Sequence, residues 1–209
     1  MILGAYDLAC LVTLFGLVAS VGACVLAVEG LIELALVSWI MAGLADLFDG
    51  PLARRRQRSA YQKEFGVQLD TAVDVVAFVI TPFVIALGSG LRSPTALLLV
   101  LLFVVCGVVR LAHFNTMSAQ GLDLATHHRG LPVTYTALVF PILFIAKDFW
   151  PLSTFQLLLE TAFALLAVLF VIDVPIRKPR GVFYLLFPLL ALVLSVYWTW
   201  RFFANPSPL

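Results

Sequence analysis

Charge is what this 209-residue chain has least of. Only 12% of its residues are Asp, Glu, Lys or Arg, against 62% hydrophobic ones and a mean hydropathy of +1.06. A soluble domain cannot present so apolar a composition to water, so that class is excluded and an integral membrane protein remains. A net charge of +1 offers no basic field for nucleic acid, and the cations matter for where they fall. Histidine and cysteine are equally scarce, three of each. Cys10, Cys24 and Cys106 lie inside apolar runs with neither CxxC nor metal-ligand spacing, and are read as small packing residues. The start, MILGAYDLACLVTLFGLVAS, has no positively charged head and no small-residue cleavage site, so its apolar run is expected to be a retained span, not a secretory signal. Period-two alternation is missing as well, which leaves helices over barrel strands.

What is present is a series of apolar segments, each near the roughly 20 residues that a helix needs to cross the bilayer core. They fall near 8–28, 31–53, 66–89, 94–117, 131–149, 153–174 and 181–203, and predict an all-α polytopic helical bundle of about seven transmembrane helices. The link at Glu29 and Gly30 is short enough to make the first two a tight hairpin. Pro94, Pro132, Pro151 and Pro175 sit near helix ends, whereas Pro82, Pro141 and Pro188 sit inside spans and are expected to kink them unless neighbours satisfy the freed carbonyls. With the amino terminus cytoplasmic, Arg54, Arg55, Arg56, Arg58, Lys63, Arg129, Arg177, Lys178 and Arg180 gather on one side, against Arg92, Lys147 and Arg201 on the other. That bias predicts a cytoplasmic amino terminus.

Against this background Asp46, Asp49, Asp70 and Asp74 stand out, because charge at membrane depth points to function. At about 100° per residue, Asp46, Asp49, Gly50, Ala53 and Arg54 share roughly one side of the second helix. Gly66, Asp70 and Asp74 follow at intervals of four and form a stripe on the third. If the stripes face each other, four carboxylates converge on one small volume, and their charge persists only with cations between them. Oxygen donors without histidine or cysteine suit hard divalent ions, Mg2+ or Mn2+, so a two-ion site is expected. The small residues Gly50, Ala53 and Gly66 either let a phosphorylated ligand approach the backbone or simply allow close helix packing. Arg54 shares the acidic face and can pair with a phosphate, whereas Arg55, Arg56 and Arg58 read as ordinary anchors of the span. An ion-coupled transporter or channel also uses intramembrane acids, but spreads them along a pathway instead of gathering them at one face.

The order Asp46-x-x-Asp49-Gly50-x-x-Ala53-Arg54, then Gly66-x-x-x-Asp70-x-x-x-Asp74, resembles the signature of the CDP-alcohol phosphotransferases, membrane enzymes of phospholipid synthesis. Eleven residues separate Arg54 from Gly66, more than is usual in that family, and the extra ones are expected in a polar loop. The resemblance implies displacement of CMP from a CDP-linked lipid by an attacking hydroxyl. It further implies that Asp46, Asp49, Asp70 and Asp74 hold two divalent cations, that Asp74 is the general base, and that Asp46, Asp49, Gly50, Ala53, Arg54, Gly66 and Asp70 line the CDP site. It also implies a homodimer and a single domain over 1–209, with 1–150 as catalytic core and 151–209 as C-terminal helices available for dimer contacts, while the bias of positive residues puts the active site at the cytoplasmic face.

The acceptor is carried by two further stretches. VVRLAHFNTM, with Arg110, His113 and Asn115, and HHRGLPVTYTAL, with Arg129 and Gly130, together resemble membrane-type phosphatidylserine synthases, with His113 in place of the usual arginine. The implied reaction joins CDP-diacylglycerol to L-serine, and Arg110 and Arg129 are the candidates for the serine carboxylate. Glycerol 3-phosphate, inositol or its phosphate, and choline stay open as acceptors. A phosphorylated one calls for more arginines and choline for an aromatic cage. His127 and His128 read as solvated loop residues, and Asp173 and Glu160 as stabilisers of helix ends or a dimer seam. Asp7 and Thr13 stand where many family members have a Pro-Asn pair followed by Thr, and that pair is absent here.

Overall fold

The computed structural model describes residues 4–55, 57–120, 127–177 and 183–204, and of residues 127–129, 175–177, 183 and 184 it describes the backbone alone. Arg56, Lys178 and Arg180 lie outside the described residues. Helix α1 (Leu8–Val28) starts at Asp7, whose carboxylate accepts from the Cys10 N–H at 2.9 Å and so satisfies a donor with no partner in the first turn. It ends at Glu29, and Gly30, at φ +80°, turns the chain into α2 (Ile32–Arg54), giving the expected hairpin. The face of α1 turned inward is built from Ala9, Cys10, Thr13, Gly16, Ser20, Ala23 and Ala27, side chains small enough for the two backbones to approach.

Helix α3 (Ala60–Asp74) begins six residues before the expected start of the third span. Ser59 and Gln62 close a capping box, each side chain taking the other's backbone N–H, so the polar stretch before Gly66 is nearly two turns of helix. This corrects the expected polar loop, since the turn at Ser59 sets the helix start ahead of the apolar run. A wide π-helical stretch, Val75–Ile80, joins α3 to α4 (Thr81–Gly88). Its cause is Pro82, which lacks an N–H for the Phe78 carbonyl and whose ring crowds it. The released carbonyls are taken up by neighbours, the Thr136 hydroxyl donating to Phe78 O at 3.2 Å and the Trp39 indole to Ala77 O at 2.6 Å, while Val76 O accepts both the N–H and, at 2.8 Å, the hydroxyl of Thr81.

Ser93 caps α5 (Pro94–Ala119), which is followed by strand β1 (His127–Arg129), a 3-10 turn (Val133–Tyr135) and α6 (Thr136–Phe144). A second 3-10 turn (Ile145–Asp148) leads to α7 (Leu152–Val171), strand β2 (Pro175–Arg177) and α8 (Phe183–Ala204). The strands form one antiparallel ribbon, His127 opposite Arg177 and Arg129 opposite Pro175, which the all-α expectation did not include. Among the described residues five stretches are long and apolar enough to cross a membrane: α1, the continuous Ala60–Gly88, α5, α7 and Leu185–Ala204. By that measure five of the seven expected spans stand. Helix α2 carries Glu33, Asp46, Asp49 and Arg54, and the stretch from 133 to 148 is short and broken by two 3-10 turns.

Helix α5 pairs with α7, and α8 lies along α2. Between them Trp39, Phe103, Phe140, Phe163 and Phe170 form an aromatic core, with Phe140 and Phe163 centroids 4.6 Å apart. At one end of the bundle Glu160 accepts from Ser93 at 2.8 Å and Asp148 pairs with Arg201 and accepts from Tyr197. Glu160 thus does stabilise a helix end. The first turn of α1, the last turns of α2, α5 and α7, the start of α3 and the β ribbon share the opposite end, where the acids lie.

Candidate active site

The acids of α2 and α3 do face each other. One carboxylate oxygen from each of Asp46, Asp49 and Asp70 lies within 4.8 Å of the others, and Asp46 and Asp74 are within hydrogen-bonding reach. All four line one small cleft together with Thr13, Gly16 and Ala77. Helix periodicity places them: a spacing of three on α2 and of four on α3 returns each side chain to the shared seam. The wide turn directly after Asp74 is held at Ala77 by Trp39, so the lower half of the helix is anchored to α2 immediately beyond its last acid. Asp49 is the most enclosed of the α2 acids, 7% exposed, and accepts from the Thr13 hydroxyl at 2.6 Å. Thr13, which the sequence marks only by its place in the first span, therefore orients one of the acids.

Whether the site suits divalent cations follows from its donors. Four carboxylates meet with one hydroxyl and no lysine between them, and an all-oxygen set of this kind fits hard ions of the Mg2+ or Mn2+ type. The nearest buried cation is Arg110 of α5, 5% exposed, whose charge acts on Asp74 and whose guanidinium lies 5.2 Å over the Phe114 ring. Arg58 acts on Asp49 from the other side, and two guanidiniums do not balance four carboxylates.

Asp46, Asp74 and Arg110 open on a cavity of about 230 Å³ whose other walls are mainly apolar: Leu44 and Leu47 of α2, Phe114 of α5, Pro132 to Tyr135, and Phe187 and Ala191 of α8. Residues beyond 150 thus reach the site. Polar chemistry lies at one wall and space for an apolar chain at the others.

The second arginine of the site is one that the sequence presents only as an anchor. Arg58 pairs with Asp7 through Nε and Oδ2 at 2.6 Å, and its Nη1 lies 3.2 Å from where a Cβ on Gly66 would stand. Arg54 folds back likewise, its Nη1 3.5 Å from a Cβ on Gly50. The two glycines leave room for two guanidiniums beside the acids, and Ala53 is half-buried in the same last turns of α2. Burial pushes the Asp7 carboxyl up, but the Cys10 N–H and the Arg58 guanidinium outweigh it and hold it below the usual carboxylate range. Tyr6 meets Phe65 edge-on at 5.8 Å, so residues before α1 lie across the start of α3.

The acceptor candidates separate. Asn115 donates to the Thr71 hydroxyl at 2.7 Å and ties α5 to α3 beside Asp70. His113 lines a second cavity, of about 210 Å³, shared with Arg110. Gly130, at φ +74°, sits where a Cβ would lie 2.7 Å from the Phe170 carbonyl, so it serves the junction with α7 and lines neither cavity. The side chains of His127, His128 and Arg129 lie outside the described residues.

A family model described as CDP-alcohol phosphatidyltransferase matches residues 6–174, from just before α1 to just past α7. Among curated proteins the chain is similar to the CDP-diacylglycerol–serine O-phosphatidyltransferase of Saccharomyces cerevisiae, 33% identical over 116 residues, which cover 52% of this chain and 41% of that protein. It is similar to the archaetidylserine synthase of Methanothermobacter thermautotrophicus, 27% identical over 156 residues, 74% of this chain and 62% of the other. It is also similar to the CDP-diacylglycerol–serine O-phosphatidyltransferase of Mycobacterium tuberculosis, 27% identical over 179 residues, 81% and 60% of the two. The matched stretches span about half the length of these relatives.

Proposed function

The chain belongs to the CDP-alcohol phosphatidyltransferase family, and from that premise we propose that it transfers the phosphatidyl group of CDP-diacylglycerol to the hydroxyl of L-serine, giving phosphatidylserine and CMP. The transporter reading gives way to family membership. The observation that carries the proposal is the convergence of Asp46, Asp49, Asp70 and Asp74 in one cleft, of which Asp46 and Asp74 also open on an apolar cavity beside Arg110. Serine as the acceptor is supported by the names of the similar proteins, each a serine phosphatidyltransferase or an archaetidylserine synthase.

In the reaction the serine hydroxyl oxygen forms a bond to the phosphorus that bears diacylglycerol, and the bond from that phosphorus to the CMP oxygen breaks. The hydroxyl proton passes to a carboxylate, and CMP leaves with the electron pair. Asp74 is the base in this reading, since it ends the α3 stripe, lines the large cavity with Asp46, and is the acid on which the Arg110 charge acts. Asp46, Asp49 and Asp70, with Asp74, would hold two cations of the Mg2+ or Mn2+ class, which when bound neutralise the diphosphate and favour departure of CMP. Thr13 fixes the Asp49 carboxylate from behind, and Arg54 and Arg58, beside Gly50 and Gly66, offer guanidiniums to the CDP phosphates. The apolar walls take the start of the acyl chains. The cytoplasmic face is the assigned side because the basic loop residues gather at the end that holds the acids. A homodimer is part of the same reading, and cross-linking in native membranes checks it.

The test gives the purified protein CDP-diacylglycerol, Mn2+ or Mg2+, and in turn serine, glycerol 3-phosphate, inositol and choline, and measures CMP and lipid product. CMP and phosphatidylserine with serine alone is the expected result. Product with glycerol 3-phosphate in place of serine overturns the acceptor, and no CMP with any alcohol from a folded sample overturns the enzyme.

A further inference from the structure

Asp7, the residue that opens α1, is engaged in two directions at once. Its Oδ1 accepts from the Cys10 N–H at 2.9 Å, and its Oδ2 lies 2.6 Å from Nε of Arg58, the residue before the Ser59 cap of α3. The side chains of Arg58 and Asp7 are only 11% and 13% exposed. The backbone around Asp7 is itself held: the Cys10 thiol donates to Ala5 O at 3.6 Å, and Tyr6 meets Phe65 edge-on. Gly4, at φ +109°, passes so close to α3 that a Cβ would stand 2.9 Å from the Phe65 ring. The Asp7 carboxylate is therefore a fixed point against which a long side chain can be set.

Arg58 is the side chain that requires such a point. Its Nη1 lies over Gly66, one turn before Asp70 on the acid stripe, and its charge acts on Asp49. Without Asp7 the strongest attraction on this flexible side chain is that of the acid cluster, and a guanidinium drawn onto Asp49 would neutralise a carboxylate needed for a cation. Asp7 holds it instead through Nε. A guanidinium is a rigid fork, so one held at Nε still presents its Nη edge to a phosphate. Gly66 keeps the space for that edge clear, since a Cβ there would stand 3.2 Å from Nη1. In the sequence Asp7 marks only where a Pro-Asn pair is absent, and Arg58 reads as an anchor of the span.

We propose that Asp7 is a positioning residue for the transfer reaction: it holds the Arg58 guanidinium over Gly66, where the Nη edge meets the diphosphate of the CDP-lipid, and keeps it off the acids. This rests on the phosphatidyltransferase reading and deepens it. Asp7 lines neither the acid cleft nor the large cavity, and acts through Arg58. Its loss therefore weakens binding of the CDP-lipid and leaves the acceptor and the base untouched.

The test measures kcat and KM for CDP-diacylglycerol on the full chain, with serine and Mn2+ saturating. In Asp7→Asn, which keeps an oxygen for the Cys10 N–H, KM for the CDP-lipid is expected to rise about tenfold, with a smaller change in kcat and none in the serine KM. Asp7→Ser, a second helix cap without the charge, is expected to match it. Arg58→Gln is expected to raise KM at least as far, and the double variant no further than Arg58→Gln alone, because the two residues act as one unit. Asp7→Glu keeps the charge and is expected to recover part of the loss. A merely structural pair behaves differently: lost stability lowers the folded fraction, hence the apparent kcat, and leaves KM alone. A KM within about twofold of wild type in either uncharged Asp7 variant or in Arg58→Gln overturns the proposal, as does a double variant in which the two effects multiply. Failure of wild type to release CMP with any alcohol is a different outcome, and overturns the reading of the enzyme itself.

Discussion

The Trp39 indole N–H donates to the Ala77 carbonyl at 2.6 Å, joining the middle of α2 to the wide turn that opens directly after Asp74. Both groups are buried, so removing the donor strands a carbonyl in an apolar interior. Trp39→Phe is expected to lose about 1–3 kcal/mol of stability. Because the same bond anchors the helix beyond its last acid, CMP release should fall further than unfolding alone explains. Thermal unfolding in detergent, followed beside activity at a temperature where the variant stays folded, checks both.

Asp74→Asn removes the proposed base while keeping size and most contacts. Turnover is expected to be abolished, with CDP-diacylglycerol still bound by the remaining acids and arginines. Equilibrium binding of the CDP-lipid, measured beside CMP release, separates the two, and full activity in the variant removes Asp74 from the role.

Thr13 touches Asp49 at 2.6 Å and neither lines the large cavity nor reaches Asp74. Thr13→Val should therefore loosen one carboxylate without removing it, raising the Mn2+ concentration for half-maximal activity by about tenfold. Thr13→Ser, which keeps the hydroxyl, should restore it. Chelation of divalent ions should stop CMP release in wild type, and added Mn2+ should return it.

The Asp7–Arg58 pair gives an acid-side signature. Folding holds the Asp7 carboxyl below its usual 3.8, so the charged form is bound more tightly in the native state than in the unfolded one. Its contribution is complete above pH 3.8 and fades as pH falls below that value, through the depressed native one. Asp7→Asn keeps a capping oxygen for the Cys10 N–H but loses the pair with Arg58, and should be less stable than wild type at neutral pH by about 0.5–1 kcal/mol. The gap should close only in strong acid. Denaturant unfolding of both proteins at neutral pH and below pH 3 measures it.

The acid stripes were legible because helix spacing alone decides which side chains share a face, and four carboxylates in apolar segments point to little besides a shared ionic site. The hairpin at Gly30 was legible for the same reason. The start of α3 was not: apolarity marks the buried part of a helix, whereas Ser59 and Gln62 set its beginning through polar caps upstream. Arg58 looked like its neighbours in the basic run, and only the fold brings Asp7 and Gly66 beside it. Gly130 depends on a ribbon made by residues more than forty positions apart, which no local pattern announces. Pro82 was expected to need help from neighbours, and Thr136 gives it, but the widening of the helix that goes with it is a tertiary response.

Helix α1 keeps its small side chains for α2 and turns Leu11, Phe15, Val18, Val21, Val25 and Val28 outward. It is thereby assembled in the reverse sense of a helix in a water-soluble protein, large groups on the rim and small ones at the seam. Lipid tails become the neighbours of the bulky residues, and exchanging Val18 for leucine changes only what the bilayer touches. Adding two methyl groups at Ala23, which has no exposed surface, pushes apart the hairpin that sets Thr13 against Asp49. Catalytic geometry at one end of the bundle therefore depends on a tolerance for bulk nearly three turns away, at a position with no chemistry of its own.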